Sequence, residues 1–313
     1  MARFLKAPVK TYCNQTLKFG FDGETVTSED NEPFGFNHLE RYVLSNYLLN
    51  NLKSETPDTT DTFFNRQSTA MARKGQLPLG GFATAAYAGI AEPVNQVWQR
   101  YQSLLQLWPT EIDPQVVDLS FALPDGITVQ LTGELSHFRQ DRDGLNLGLI
   151  QVTAQALLTS ADKINYSNLL LQWVQHLAGC AVGMNIQTLV TGFDAVIEMP
   201  PVTQADALEQ LKTVLGAWYQ GMQAPLPVAC KTAFAWLDAA PEKALNAAQS
   251  RYEGDDWNKG EVDYDAYLAR FFPNFASLKP EAAQEGFVDW ANKLYLPAFN
   301  QINKQQTTQV AQP

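Results

Sequence analysis

The apolar periodicity of this chain changes near its middle, and this change restricts the fold more than any other feature. Before Pro114, apolar residues recur at helical spacing, as in the run that follows Asn37, where Glu40 completes a capping-box pattern. After Pro114 they alternate with polar residues, and residues 124–126 (Pro-Asp-Gly) separate two such runs. The sequence therefore predicts helices followed by a β-hairpin, which is an α/β protein.

A second turn signal, at residues 141–144, introduces a third alternating run from Leu145 to Val152. It follows the two runs of the hairpin, Val116 to Phe121 and Ile127 to Leu135. Strands joined by short turns usually pair with their neighbours in the chain, so we expect the three runs to form one antiparallel meander.

A long helix should follow the meander. The apolar residues from Leu169 to Ala181 form one helical stripe, and Ser160 and Asp162 are the candidate caps at its amino end. Residues 188–190 and 195–197 are short apolar runs rich in β-branched residues, which predict a further strand pair. The predicted order of the core is helix, three strands, helix, strand.

The same patterns divide the chain into four parts. Residues 1–110 are predicted to be helical, residues 111–200 to form the mixed sheet core, and residues 201–300 to be mostly helical again, all in one structural domain. The Gln-rich residues 301–313 are predicted to be a flexible tail. We also expect an acidic loop between Asp22 and Pro33.

Composition argues against several classes of protein. Hydrophobic residues make up 45% of the chain, yet no stretch reaches the ~20 apolar residues of a membrane helix. The start, Met1 to Phe4, lacks the apolar run of a secretion signal, so we expect a cytoplasmic protein. The formal net charge of -11 argues against a broad nucleic-acid-binding face, because phosphate binding needs a basic footprint. DNA contacts should be local or shared with a partner.

No metal or cofactor is indicated. The three cysteines are far apart and lack CxxC spacing, which argues against a disulfide framework and a zinc site. His38, His137 and His176 share no ligand spacing, so we expect them on helix surfaces or in turns. The acidic group from Asp255 to Asp265 misses the register of a calcium loop and should be solvated near a helix start.

Most of the tryptophans lie in helical apolar stripes. We therefore expect them in the core, with at most one or two available for base stacking. They include Trp98, Trp173, Trp218, Trp236, Trp257 and Trp290.

The predicted core has the layout of the PD-(D/E)xK nucleases without their chemistry. In nuclease domains of the RecB type, the second strand carries Gly-x-Ile-Asp and the third ends in Asp-x-Lys, and the two acids hold the metal that polarises the scissile phosphate. Here Ser136 stands at the first acid position, and the third strand carries Gln151 and Thr153 without a carboxylate. Lys163 lies too far along the chain to act from the strand end. The sequence predicts a non-catalytic domain.

A relocated catalytic site is the alternative. Glu134 with Asp118, or the turn that contains Asp141 and Asp143, would supply carboxylates for a divergent metal-dependent DNA nuclease. Strand alternation places Glu134 on the face opposite Leu135, so its side chain should point to water rather than into a cleft. Because acids in turns and on exposed strand faces are usually solvated, the inactive site is the favoured interpretation.

Short stretches spread over residues 3–300 carry a family resemblance. They are Phe4-Leu-Lys-Ala-Pro8-Val-Lys, Glu32-Pro33-Phe34, Leu39-Glu-Arg-Tyr42, Gly75-Gln76-Leu77-Pro78-Leu79-Gly80-Gly81-Phe82, Trp173-Val-Gln-His-Leu177, Tyr219-Gln-Gly221-Met222-Gln-Ala-Pro225-Leu226, Tyr252-Glu253-Gly254 and Leu294-Tyr-Leu296-Pro297-Ala-Phe299. Their order and spacing resemble the carboxy-terminal domain of RecC, the gamma subunit of exonuclease V.

The resemblance implies the end of a longer subunit, with helicase-like domains ahead of it. That subunit belongs to the RecBCD helicase-nuclease, which processes double-strand breaks for recombinational repair. RecB-like and RecD-like subunits and DNA are the implied partners. In the family this domain is nuclease-like but inactive, anchors other subunits and presents a pin that separates the DNA strands.

Two hairpins are candidates for the pin. One runs from Ser136 to Leu145, with Arg139 and Arg142 at its tip, and the other from Thr188 to Glu198, with Phe193 at its tip. A wedge needs a rigid, exposed apolar or cationic tip, and either hairpin is also compatible with an ordinary solvated turn. A structural interaction module without DNA contact is the third alternative for the whole chain.

Overall fold

A computed structural model describes the chain in five segments, which are residues 1–21, 35–54, 60–78, 80–279 and 285–303. The predicted acidic loop and residues 304–313 of the predicted tail lie outside these segments. Residues 301–303 belong to the last helix, so the prediction that the tail starts at residue 301 is wrong. Among the described residues, no helix combines the length and the apolar character needed to cross a membrane.

The described residues form helices and strands in a mixed arrangement. The helices are α1 (Ala2–Lys6), α2 (Pro8–Tyr12), α3 (His38–Ser54), α4 (Thr60–Arg73), α5 (Phe82–Leu107), α6 (Leu170–Ala181), α7 (Gln204–Gly221), α8 (Cys230–Asp238), α9 (Ala244–Glu253), α10 (Ala266–Phe271), α11 (Phe287–Leu294) and α12 (Leu296–Asn303). The strands are β1 (Thr110–Ile112), β2 (Gln115–Ala122), β3 (Thr128–Leu135), β4 (Phe138–Gln140), β5 (Leu147–Val152), β6 (Ile186–Thr191) and β7 (Val196–Met199). The predicted α/β class is confirmed.

Two helix starts test the capping predictions. At α3 the capping box forms, because Asn37 N donates to Glu40 Oε2 (2.8 Å) and Glu40 N donates to Asn37 Oδ1 (2.9 Å). At α6 the predicted caps Ser160 and Asp162 are wrong. They lie in a turn closed by a hydrogen bond from Thr159 N to Lys163 O (2.7 Å), and the helix begins only at Leu170.

The central sheet has five strands in the order β1-β4-β5-β6-β7. The strand β4 is antiparallel to β1 and to β5, β5 is parallel to β6, and β6 is antiparallel to β7. The parallel pair is connected through α6, as a parallel pair requires a crossover. The predicted strand pair after the long helix is confirmed as β6 and β7.

The predicted three-strand meander is wrong in its pairing. The strands β2 and β3 form a separate two-stranded sheet, and β5 pairs with the short strand β4 instead of with β3. The two runs of the predicted hairpin do pair with each other, as β2 and β3, and breaks in the chain separate this pair from the central sheet. Pro114, which has no N–H for a ladder, separates β1 from β2, and His137, with φ 71°, separates β3 from β4. The β2–β3 hairpin therefore lies outside the central sheet.

Helices cover both faces of the central sheet. Alternate residues of β5 point to opposite faces, so that Leu149 packs into the core that contains α6, while Ile150 and Val152 pack into the core around α5. Trp173 on α6 and Trp98 on α5 are large buried side chains of these two cores. The arrangement is a helix, sheet, helix sandwich.

The first helices belong to the core on the α6 side, although they open the predicted amino-terminal helical part. Phe4, Leu5 and Val9 are buried there, and Tyr295 Oη donates to Leu5 O (2.7 Å) from the carboxy-terminal helices. A Cβ on Gly221 of α7 would lie 2.9 Å from the Phe4 ring, so the backbones approach closely. The ends of the chain therefore pack together.

Candidate functional site

Ser136 and Gln151 are the two positions at which the sequence motif of RecB-type nucleases would place metal-binding acids. Ser136 is exposed in the break between β3 and β4. In the β4–β5 ladder Phe138 lies opposite Leu149, and Ile150 N donates to His137 O (3.2 Å) just beyond it. The β4–β5 ladder ends at Phe138, while Gln151 continues β5 beside Val190 of β6.

The side chains at these motif positions are neutral. Gln151 Nε2 donates to Gln175 Oε1 of α6 (2.8 Å), and Gln151 Oε1 is buried without a hydrogen-bond partner. Thr153 follows the end of β5, where its N–H donates to Thr191 O (2.9 Å). An amide pair lacks the negative charge that holds Mg²⁺ or Mn²⁺. In the described segments, no group of three or more His, Cys, Asp or Glu side chains is arranged to hold a metal ion.

The carboxylates of the alternative site lie on a surface rather than in a cleft. Glu134 is exposed opposite Val116, itself 73% exposed, whereas Leu135 is buried on the other face of the hairpin, so the predicted direction of Glu134 is confirmed. Asp118 is on the same exposed face and accepts a hydrogen bond from Gln130 Nε2 (2.8 Å).

The turn that contains Asp141 and Asp143 uses one of its acids for structure. Asp141 accepts hydrogen bonds from the Asn146 side chain (2.5 Å) and from the backbone amides of Leu145 (2.9 Å) and Asn146 (3.2 Å). These bonds, the one from the Asn146 side chain first, lower the pKa of Asp141. Asp143 is exposed. The carboxylate of Asp141 is therefore engaged in holding the β4–β5 turn.

The sequence matches the RecC C-terminal domain family over residues 1–241 of 313. The chain belongs to this family. It is also similar to the RecBCD enzyme subunit RecC of Escherichia coli (strain K12), with 27% identity over 96% of this chain and 25% of that protein. The chain therefore spans about a quarter of the length of this relative.

Arg139 and Arg142, the two candidate arginines of the pin, bind carbonyl groups at the end of α5. Arg139 lies within β4 and donates to Trp108 O and Pro109 O (both 3.2 Å), and its side chain is only 18% exposed. Arg142 Nε donates to Gln106 O (3.0 Å). The last carbonyls of a helix have no helical partner and carry partial negative charge, so both guanidinium groups cap α5. The expectation that Arg139 lies at an exposed tip is wrong.

Phe193 also differs from the expected exposed tip. It is half-buried against the core around α5, and its N–H donates to Gln155 O (3.0 Å). The turn is held from both sides, because Arg100 donates to Gly192 O (2.7 Å) and Asp194 accepts from Leu157 N (2.7 Å). Phe193 therefore packs inward.

Two of the three histidines lie where they were expected, on a helix surface or in a turn, and one does not. His38 is exposed at the start of α3, and His137 occupies the turn between β3 and β4. His176 contradicts the prediction, since it is fully buried, with Nδ1 2.9 Å from Thr188 Oγ1 and its ring stacked on Trp173. The apolar stripe of α6 contains this position, which is the signal that the ligand-spacing argument ignored.

The acidic group from Asp255 to Asp265 supports local structure. Asp265 caps α10, because its side chain accepts hydrogen bonds from Tyr267 N and Leu268 N, as a helix start predicts. Glu261 is not simply solvated, since it accepts from Lys231 N (3.0 Å) and Thr232 N (2.7 Å) at the start of α8. A carboxylate supplied by a distant segment is a contact that sequence spacing does not reveal.

The tryptophans follow the core prediction with one marked exception. Trp98, Trp173 and Trp290 are buried, but Trp257 is 93% exposed. It lies in a short loop after α9 and outside any apolar stripe, which is the signal that could have separated it from the others.

Proposed function

We propose that this chain is the carboxy-terminal domain of a RecC subunit in a RecBCD-type complex for double-strand break repair and recombination. In this proposal the domain has a nuclease-like fold without nuclease activity. It helps to assemble the RecB-like and RecD-like subunits and guides DNA strands that another subunit cuts. Membership of the RecC C-terminal domain family and the similarity to a protein named RecBCD enzyme subunit RecC support this role.

The strand order supports a PD-(D/E)xK-like core. Along the chain, α5 is followed by β1, β4 and β5, which are antiparallel neighbours, and then by α6 and β6. This order is helix, three strands, helix, strand once the β2–β3 hairpin is treated as an insertion between β1 and β4. Fold alone does not determine function, so the argument for inactivity depends on the side chains.

The observation that carries the proposal is the amide pair at the degenerate site. Gln151, on the strand where the motif has its second acid, hydrogen-bonds to Gln175, and Ser136, at the motif position of the first acid, supplies only a hydroxyl. Phosphodiester hydrolysis through a divalent cation needs charged ligands in that place.

A degradation assay separates this proposal from the divergent nuclease. The full-length RecC-type subunit is incubated with single- and double-stranded DNA in Mg²⁺ or Mn²⁺, beside Glu134→Gln and Asp118→Asn variants. We expect no degradation by any of the three proteins without the RecB-like subunit. Degradation that Glu134→Gln abolishes would establish the divergent nuclease instead.

The β4–β5 turn is the better candidate for strand guidance. Its tip residue Leu145 is 82% exposed, and the Asp141 carboxylate bonded to Leu145 N makes the turn rigid. An exposed apolar side chain on a rigid turn has the properties of a wedge, and Arg139 and Arg142 anchor the same turn to α5.

Unwinding by the reconstituted complex tests this role. We expect Leu145→Asp to slow unwinding of duplex DNA while the complex assembles normally. Leu245→Asp on α9, where the parent leucine is 53% exposed, is the matched control and should leave unwinding unchanged. If Leu145→Asp unwinds duplex DNA as fast as Leu245→Asp and the parent, the interaction module without DNA contact is favoured.

A further inference from the structure

The loop between α9 and α10 exposes a large aromatic side chain. Trp257 is 93% exposed, and Tyr264, in the turn that follows, is 75% exposed. Lys259 extends between them, with Nζ 5.9 Å from the centre of the Tyr264 ring. Tryptophan combines a large apolar surface with a polar N–H group, so an exposed tryptophan offers a large contact area to a partner.

The loop holds Trp257 in a defined position. Asp255 Oδ1 accepts hydrogen bonds from Trp257 N (2.9 Å) and Asn258 N (2.7 Å), and Asp255 N donates to Asn258 O (2.9 Å). A Cβ on Gly254 would lie 2.2 Å from Asn258 O, and one on Gly260 would lie 2.2 Å from Tyr252 O. The loop is closed by backbone contacts that only glycine allows, and binding through it would cost little conformational entropy.

The charge around the loop indicates the chemistry of its partner. Asp255, Asp256 and Asp263 are exposed, and each lies within two residues of Trp257 or Tyr264 in the chain. These carboxylates repel the phosphates of a nucleic acid, in agreement with the net charge of -11. They attract a protein surface that carries basic residues.

We propose that Trp257 and Tyr264 form a docking knob, and that the knob inserts into an apolar pocket with a basic rim on another subunit of the complex. The inference deepens the proposed function, on which it rests, by naming the side chains that meet a partner. Tryptophan and tyrosine are the residue types that most often dominate the binding energy of a protein interface. The rigid loop supplies the anchor, and the three aspartates supply the acidic rim that complements the partner.

Binding measurements on the full-length RecC-type subunit test the proposal. The RecB-like and RecD-like subunits are immobilised separately, and the parent, Trp257→Ala and the control Val116→Ala are compared. Val116 is 73% exposed on the β2–β3 hairpin. We expect Trp257→Ala to raise the Kd for one of the two subunits at least about thirty-fold, mainly through faster dissociation, while Val116→Ala stays within two-fold of the parent.

A charge variant tests the acidic rim on the same surface. Asp256→Lys should slow association with the same subunit and weaken its dependence on salt. Because all these positions are exposed, the variants should keep the parent Tm, and this is measured first.

Two results would overturn the docking knob. In the first, Trp257→Ala binds both subunits as tightly as the parent. In the second, Trp257→Ala leaves subunit binding intact but weakens binding of an oligo(dT) strand by the assembled complex, which would make Trp257 a base-stacking platform. If the parent subunit itself binds neither partner, the proposed function fails together with the knob.

Discussion

Gln151 on β5 donates a hydrogen bond to Gln175 on α6 over 2.8 Å, so the strand and the helix that follows it are joined by two neutral amides. Both residues are partly buried, and Gln151 Oε1 has no partner of its own. The pair links β5 to α6, but the buried Gln151 Oε1 without a partner lowers the net stabilisation that this link provides.

The first prediction concerns the stability of this amide pair. Gln175→Leu leaves the Gln151 N–H without an acceptor and should lower the free energy of unfolding by about 1–2 kcal/mol. The double variant Gln151→Leu with Gln175→Leu removes both polar groups and should be closer to the parent than either single variant. Urea unfolding measures all four proteins. Additive losses in the double variant would contradict a direct interaction.

The second prediction rebuilds a metal site. Ser136→Asp with Gln151→Asp places carboxylates at the two positions where the nuclease motif has its metal-binding acids. Their mutual repulsion should lower Tm without metal, and millimolar MnCl₂ should raise it again by on the order of 5 °C, because metal binding favours the folded state. The neutral variant Ser136→Asn with Gln151→Asn is the control. If MnCl₂ shifts Tm equally in both variants, Ser136 and Gln151 do not face one metal position.

Local patterns in the sequence predicted the elements well and their partners less well. The capping box at Asn37, the β2–β3 hairpin and the β6–β7 pair follow from spacing alone. The meander failed because φ 71° at His137 redirects the chain, and a non-glycine residue gives no sign of such a conformation. Pro114 did give a sign, since proline interrupts a ladder.

The candidate site shows the same division. The neutral residues Ser136 and Gln151 are visible in the sequence, but the hydrogen bond from Gln151 to Gln175 is not, because Gln175 comes from a helix whose start was misplaced. The roles of Arg139 and Arg142 depend on the carbonyls at the end of α5, which lie about thirty residues earlier in the chain. Contacts of this kind are decided by packing, and sequence spacing does not record them.

The third prediction concerns the cap on α5. Arg139→Met removes the hydrogen bonds to Trp108 O and Pro109 O and should lower the free energy of unfolding by about 1–3 kcal/mol, since the side chain is only 18% exposed. Arg139→Lys keeps the charge and should lose less. Arg142→Met is the exposed comparison and should lose about 1 kcal/mol or less. A larger loss at Arg142 than at Arg139 would contradict the assignment of Arg139 as the main cap.

The last prediction concerns the buried His176 of α6. Its Nδ1 lies 2.9 Å from Thr188 Oγ1, Cys180 Sγ lies 3.8 Å from Nε2, and the ring stacks on Trp173. No water reaches the imidazole, and burial lowers the pKa of His176 from 6.5 to about 4. The neutral ring is therefore strongly preferred in the folded chain.

The lower pKa of His176 in the folded chain determines how stability changes with pH. Below pH 6.5 the unfolded chain takes up a proton at residue 176 while the folded chain resists until about pH 4, so the stability present above pH 6.5 is lost as the pH falls through this window. The loss between pH 7.5 and pH 4.5 should be about 2–3 kcal/mol. Urea unfolding at the two pH values should show a smaller difference for His176→Gln than for the parent, by about that amount, and an unchanged difference for the exposed His38→Gln. If His176→Gln keeps the full pH dependence of the parent, the titrating group lies elsewhere in the chain.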